Sequence, residues 1–386
     1  MVFFCIMEVV INMVYLDYSA TTPVNDEVIE SYSKACKEYI GNPNSLHRLG
    51  LESKKVIDAA TAQIASILNV KPSEIIYTSG ASEANNTAIK GVAFKYKNRG
   101  NKIISTELEH SSVIGPLNYL SNIGFDVEFV KLDSNGRVDL DDFKRLIDDN
   151  TILVTIASVN SEVGIKQPIK EISEIVKNYP KCLFHSDMTQ SIGKEYIDLS
   201  LVDMASFSAQ KFYGMKGVGG LIKKENIVID PLIHGGKSTT IWRSGTPALP
   251  LIVSTARALR LIYDDFDNKL AHIKEVHDYL IDKLRNMDVD INSNENCINQ
   301  IVNYSLRGIK SEVMLHALEE DDIFVSTQTA CSTGNYSIAI YALTHDEERS
   351  SSSMRVSISH LTTKEEIDKF IESLSKNIEK LGELKK

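Results

Sequence analysis

Cysteine is scarce and never clustered. Cys5, Cys36, Cys182, Cys297 and Cys331 are the five in 386 residues, and no two form a C-x-x-C pair. A disulfide framework or a structural zinc site is therefore not expected, no metal ligand set is assigned, and a reducing, cytoplasmic compartment is. Basic runs are missing as well. The Lys385–Lys386 pair reads as a solvated helix end, and a net charge of −10 leaves no dedicated surface for nucleic acid. No apolar run approaches the roughly 18 residues that span a bilayer, so no membrane segment is expected. The opening stretch, "MVFFCIMEVVINMVYLDYSATTP", has no basic n-region, carries Glu8 within its apolar part and shows no small-residue cleavage site. Met1, Met7 and Met13 all remain candidate starts, and the first dozen residues can be read as an upstream extension. There is no internal repeat, and no low-complexity segment beyond Ser350–Ser353.

What the chain does have is alternation. Short apolar runs at 74–79, 102–106, 126–132, 151–158, 182–188 and 202–208 read as strands. Amphipathic stretches at 83–96, 139–148 and 169–179 lie between them. This order predicts an α/β domain with a mostly parallel sheet covered on both faces. A single long helical stretch over 248–270 then changes the texture. Helices near 271–286, 311–320 and 364–384, with strands at 299–306 and 353–361, predict a smaller α+β domain joined near residue 265.

Two nucleotide-binding patterns fail. "HGGKSTT" (234–240) has Pro231 where a Walker A loop needs glycine, and "GMKGVGG" (214–220) has the wrong spacing and leads into no helix. "TSGASEANN" (78–86) passes from a strand through Gly80 to a helix start near Ser82. It suits either a phosphate on free N–H groups or an ordinary serine cap. Asp187 ends a predicted strand, at the edge where parallel sheets gather ligands, though a buried cap would look the same. His110, Asn160 and Lys211 also follow strands in that sense. A phosphate cradle, a lysine amine and an aspartate able to pair with a ring nitrogen together suit pyridoxal 5′-phosphate (PLP). Lys216, flanked by Met215 and Gly217, reads as solvated. Cys331, in "TQTACSTGN", has a polar, loop-like setting that favours exposure and reactivity, whereas the other cysteines adjoin apolar runs and read as structural. Arg355, inside an apolar strand, needs an anion, whether a protein carboxylate or a substrate's.

"YLDYSATTP", "GNPNSLH", "YTSGASEANN", "DDNTILV", "DMTQSIGK" and "WRSGTP", in this order, make the chain resemble the cysteine desulfurases of the NifS/IscS type. These are class V aminotransferase-like, fold type I PLP-dependent transferases, and the likeness covers essentially the whole chain. It implies a large PLP-binding domain (24–265) built on a mostly parallel seven-stranded sheet. A small domain (1–23 and 266–386) would carry the cysteine loop. It implies that Lys211 bonds to PLP and then moves the substrate's Cα proton, that Asp187 pairs with the pyridine nitrogen, and that His110 stacks on the ring and assists proton transfers. Asn160 and Gln190 would bond the phenolic oxygen or the substrate carboxylate region. Ala81, Ser82 and Ser208 would hold the phosphate, with Thr246 reaching it from the second subunit of a homodimer. Arg355 would clamp the carboxylate of L-cysteine, and Cys331 would take its sulfur as a persulfide, releasing alanine. The sulfur would pass to an acceptor protein, an iron–sulfur scaffold or a tRNA-thiolation enzyme.

The chain departs from that pattern in places. Gln210 replaces the usual histidine before the lysine, so the phosphate grip loses a chargeable group. Met188 is expected beneath the pyridine ring where the family has a smaller residue, and Ser161 replaces a second asparagine. A short tail leaves the scaffold partner open. The rival readings are a selenocysteine lyase or an aminotransferase, neither of which needs Cys331, and an inactive PLP-binding partner subunit.

Overall fold

The computed structural model describes residues 13–237, 240–327 and 336–383. Cys5 and Cys331 lie outside these residues. The chain opens with β1 (Val14–Tyr15), α1 (Asp26–Glu38) and α2 (Arg48–Leu68). Then β2 (Ile75–Thr78), α3 (Ala81–Tyr96), β3 (Lys102–Ser105), α4 (Ser111–Asn122) and β4 (Asp126–Phe129) follow. The alternation continues through α5 (Leu140–Leu146), β5 (Thr151–Thr155), α6 (Ile169–Val176), β6 (Leu183–Asp187), β7 (Met204–Ser208) and β8 (Gly219–Lys223). These strands form one seven-stranded sheet in the order β2-β8-β7-β6-β5-β3-β4. Only β8 runs against its neighbours.

Adjacent residues in the strands serve opposite faces, as a two-residue period demands. Ile104, Val154, Ala205 and Ile222 enter a core with α1, α2, α6 and the later helix α7 (Leu249–Tyr263). Their neighbours Ile103, Leu153, Met204 and Leu221 enter a second core with α3 and α4. Both faces are thus covered, which is why the strands read as apolar throughout. A third core joins β1, α8 (Phe266–Arg285), β10 (Ile301–Ser305), α9 (Ser311–Glu319), β12 (Ser353–Ser357) and α12 (Lys364–Glu383). Around these lie β9 (Asp290–Ile291), β11 (Ile323–Phe324), α10 (Ile338–Thr344) and α11 (Glu347–Ser351).

The helical stretch expected over 248–270 is two helices. It breaks between α7 and α8, where Asp265 takes a left-handed backbone with φ 52°. Lys269 closes the break by donating to the carbonyls of Leu261 and Ile262 that α7 leaves free.

The strand of the seven-stranded sheet that sequence reading missed is β8, and its glycines explain why. A Cβ on Gly219 would stand 2.2 Å from the Phe207 carbonyl oxygen and 2.8 Å from the Gly80 Cα. One on Gly220 would meet the Phe207 ring at 2.6 Å. The strand needs bare backbone because the turn into α3 is pressed against it. Gly219→Ala is therefore expected to destabilise the protein by about 3 kcal/mol. An unchanged midpoint in denaturant unfolding would contradict this packing.

Candidate functional site

Parallel strands deliver their carboxyl ends to one edge, and a cavity of about 280 Å³ lies there. The strand ends of β2, β3, β5, β6 and β7 lead respectively to Ala81, His110, Asn160, Asp187 and Ser208, all of which line it. Ser82, Gln190, Gln210 and Lys211 complete the large-sheet side, and Arg355 enters from β12. Thr246 is exposed and stands apart from this lining within the one chain. Lys216 is exposed, and Cys36 is too, so the latter is not the buried structural thiol its apolar setting suggested. Cys182 is buried as expected.

Each polar group has a definite local cause. Gly80 caps α3 with φ 153°, a backbone region closed to other residues, and no side chain caps the helix. The Ala81 N–H donates to Ser208 Oγ at 2.7 Å. The Ser82 cap considered from sequence is thus not what forms; an open helix end, suited to an anion, is. Asp187 accepts from Asn85 Nδ2 at 2.7 Å and from the Thr189 N–H at 3.0 Å. Lys211 lies on a single 3-10 turn after β7. Its Nζ donates at 2.7 Å to the carbonyls of both Ser19 and Ala20. The Tyr213 backbone, at φ 65°, is held nearby by Thr22 Oγ1.

His110 caps α4. Its Nδ1 accepts from the Ser112 N–H, so the ring proton of the neutral form sits on Nε2. Burial lowers its pKa, with the nearby Asp187 charge opposing and the Lys211 charge adding. The adjoining Glu109 is buried against the Ala157 N–H and Thr106 Oγ1. Burial pushes its carboxyl up to about 8, the Asp187 charge adding to the effect, which leaves it largely protonated at neutral pH.

Asn160 spends most of its amide on the fold: Oδ1 accepts from the Glu162 and Val163 N–H groups and Nδ2 donates to the Leu108 carbonyl. Only one N–H remains for the cavity. Arg355 is 2% exposed, ion-paired to Asp17 at 2.7 Å and bonded to the Ser161 carbonyl. The protein carboxylate weighed for it from sequence is therefore present, and its Nε keeps no partner among the described residues.

One expectation is corrected. Met188 does not line the cavity; it is buried in the core with Ile192 and Phe184, and Thr189 takes the cavity position. β6 ends at Asp187, and the turn after it carries Met188 into the core and Thr189 to the cavity. Sequence reading also assigned no role to the Asp17–Thr22 segment, to Asn85 or to Thr189. Asn85 had a visible signal, an asparagine on the alanine-rich buried face of α3.

The residues present fit a phosphorylated aromatic cofactor. Ser19 Oγ, Thr189 Oγ1 and Arg355 Nε are buried without partners among the described residues, and all three residues line the cavity. Beside them stand a lysine amine, a buried carboxylate and an open helix end.

The family pattern described as aminotransferase class-V matches residues 14–370. The chain belongs to that family. Within it, this class-V chain is 37% identical over 375 residues to the cysteine desulfurase IscS of Dictyoglomus turgidum, covering 95% of each. A solved NifS-like protein superposes on it with a TM-score of 0.91 at 35% identity, over 95% of this chain and 99% of the other. Another solved structure, described as SspA in complex with cysteine, gives 0.80 at 30% identity, over 90% and 99%. The seven-stranded, mostly parallel sheet is the α/β architecture of these NifS-like relatives. No described helix is long and apolar enough to cross a membrane.

The buried histidines set a pH limit. His185 lies between Thr155 Oγ1 and Ser206 Oγ, and burial lowers it to about 4. The unfolded chain, with an imidazole near 6.5, binds that proton first. Stability should be full above about pH 6.5 and fall as the pH drops towards 4, by roughly 3 kcal/mol from this residue. His185→Gln should flatten that limb in urea unfolding followed against pH; an unchanged limb would contradict it.

Proposed function

We propose that the protein is a PLP-dependent cysteine desulfurase, taking sulfur from L-cysteine to give alanine and an enzyme persulfide. The carrying observation is the convergence of Lys211, Asp187, His110 and an open helix end on one cavity that Arg355 also enters. The relatives' names supply the substrate.

PLP would be held by the α3 N-terminus with Ser208 at its phosphate, by Asp187 at its ring nitrogen, and by His110 and Thr189 against the ring. Bound there, it supplies an electron sink for negative charge at the substrate's Cα. The chain's residues do the rest. Asn85 and the Thr189 N–H orient the Asp187 carboxylate. Lys211 carries the Cα proton, and its amine is aimed by the Ser19 and Ala20 carbonyls. His110 remains neutral, with Nε2–H as its free donor. Arg355 faces the substrate carboxylate with one side already neutralised by Asp17, which leaves its unpartnered Nε for that anion. The Cys331 thiolate attacks the substrate sulfur. The C–S bond breaks, its electron pair stays with the carbon side, and protonation there completes alanine; no outside oxidant or reductant is needed.

The same reading makes the protein a cytoplasmic homodimer, with Thr246 serving the partner's site, and divides the chain into 24–265 and 1–23 with 266–386. The third hydrophobic core, separate from the two on the sheet, supports that division. The sulfur leaves to an acceptor protein.

Incubation with L-cysteine should yield alanine and a one-sulfur mass gain on Cys331, and Cys331→Ala should lose persulfide and sulfide release by at least a hundredfold. Full sulfide release from Cys331→Ala would point to a lyase instead. Because Gln210 adds no charge at the phosphate side, Gln210→His should tighten PLP by several-fold in equilibrium titration. An unchanged affinity would remove Gln210 from the phosphate grip.

A further inference from the structure

Behind the cavity wall lies a second lysine. Lys194, in the turn after β6, is buried, and its Nζ donates to Gln190 Oε1. Gln190 is 5% exposed and lines the cavity; its Nε2 donates to the Ser19 carbonyl at 3.0 Å. That carbonyl also receives Lys211 Nζ. A relay thus runs from Lys194 through the Gln190 amide and Ser19 to Lys211.

The relay fixes which way the amide faces. A side-chain amide has an oxygen and two N–H groups. Here the oxygen is turned to Lys194 and one N–H to Ser19, so the group left for the cavity is the second N–H. Without the Lys194 amine, the Gln190 oxygen would be a buried acceptor lacking a donor, a costly state that rotation towards the cavity relieves. The cavity would then meet an acceptor where it now meets a donor. The charged groups around Lys194 are Lys211, Arg355 and Asp17. Burial, with the first two adding, holds its pKa well below the ordinary value. In either protonation state the amine keeps N–H groups to donate to Gln190.

We propose that Lys194 is a positioning residue, which through Gln190 makes the site offer a hydrogen-bond donor to the ring oxygen of the bound cofactor. The inference rests on the PLP reading above. A donor favours negative charge on that oxygen, and its loss makes the cofactor harder to deprotonate.

The test is a spectral pH titration of the holoenzyme's visible cofactor band. Lys194→Met should move the midpoint up by about one pH unit, and Gln190→Met should do the same. The double variant should shift no further than either alone, because both changes remove one donor. Lys194→Gln, polar enough for the buried position but ending short of Gln190, should shift as Lys194→Met does and serves if the latter does not fold. An unmoved midpoint in a lysine variant that retains the band overturns the proposal. So does a lysine effect that persists in full on the Gln190→Met background, which would mean direct charge action on Lys211. A wild-type protein that takes up no PLP overturns the cofactor reading itself, and this proposal with it.

Discussion

The site depends on two backbone carbonyls. Ser19 and Ala20 receive the Lys211 amine, and they can do so only because the Asp17–Thr22 segment is pinned at both ends. At one end, Leu16 and Tyr18 exchange backbone bonds with Ser357 of β12, and the Ser19 N–H donates to Ser357 Oγ. At the other, Thr22 gives its N–H and its hydroxyl to the Gln210 carbonyl and accepts from the Tyr213 N–H. A short polar segment thereby bolts the β10–β12 sheet to the turn that carries the lysine.

Around that bolt, burial decides which groups carry charge. Asp187 and Arg355 have specific partners, Asn85 and the Thr189 N–H for one and Asp17 for the other. Burial moves other groups towards neutrality in spite of their hydrogen bonds: Glu109 upwards, His110, His185 and Lys194 downwards. The result is a cavity wall in which few charges face one another across a low-dielectric space, so each that remains acts at full strength.

Much of this architecture was legible in the sequence, because parallel strands buried on both faces announce themselves as apolar runs and the segments after them carry the polar residues of the cavity. His110, Asn160, Asp187 and Lys211 could each be read as following a strand. The unread parts have physical reasons. β8 hides behind Gly219 and Gly220, which close packing demands and strand propensity disfavours. Met188 was placed by likeness to the family alone, and the turn after β6, whose path no periodicity predicts, buries it and brings Thr189 to the cavity. The Asp17–Thr22 segment acts mainly through main-chain carbonyls, which no side-chain pattern can reveal. The Lys194–Gln190 contact is a four-residue spacing across an irregular turn, invisible to helical or strand periodicity.

The Asp17–Arg355 ion pair joins residues 338 positions apart. A chain emerging from the ribosome could therefore build most of its large sheet while the binding cavity still lacked its closing arginine and its anchored strap. Completion of the site must wait until nearly the whole polypeptide has been synthesised, because loop closure over that span cannot precede the arrival of β12. The cavity in its final form is then completed only after translation, and a nascent chain stalled before Arg355 would present Lys211 without the wall that encloses it.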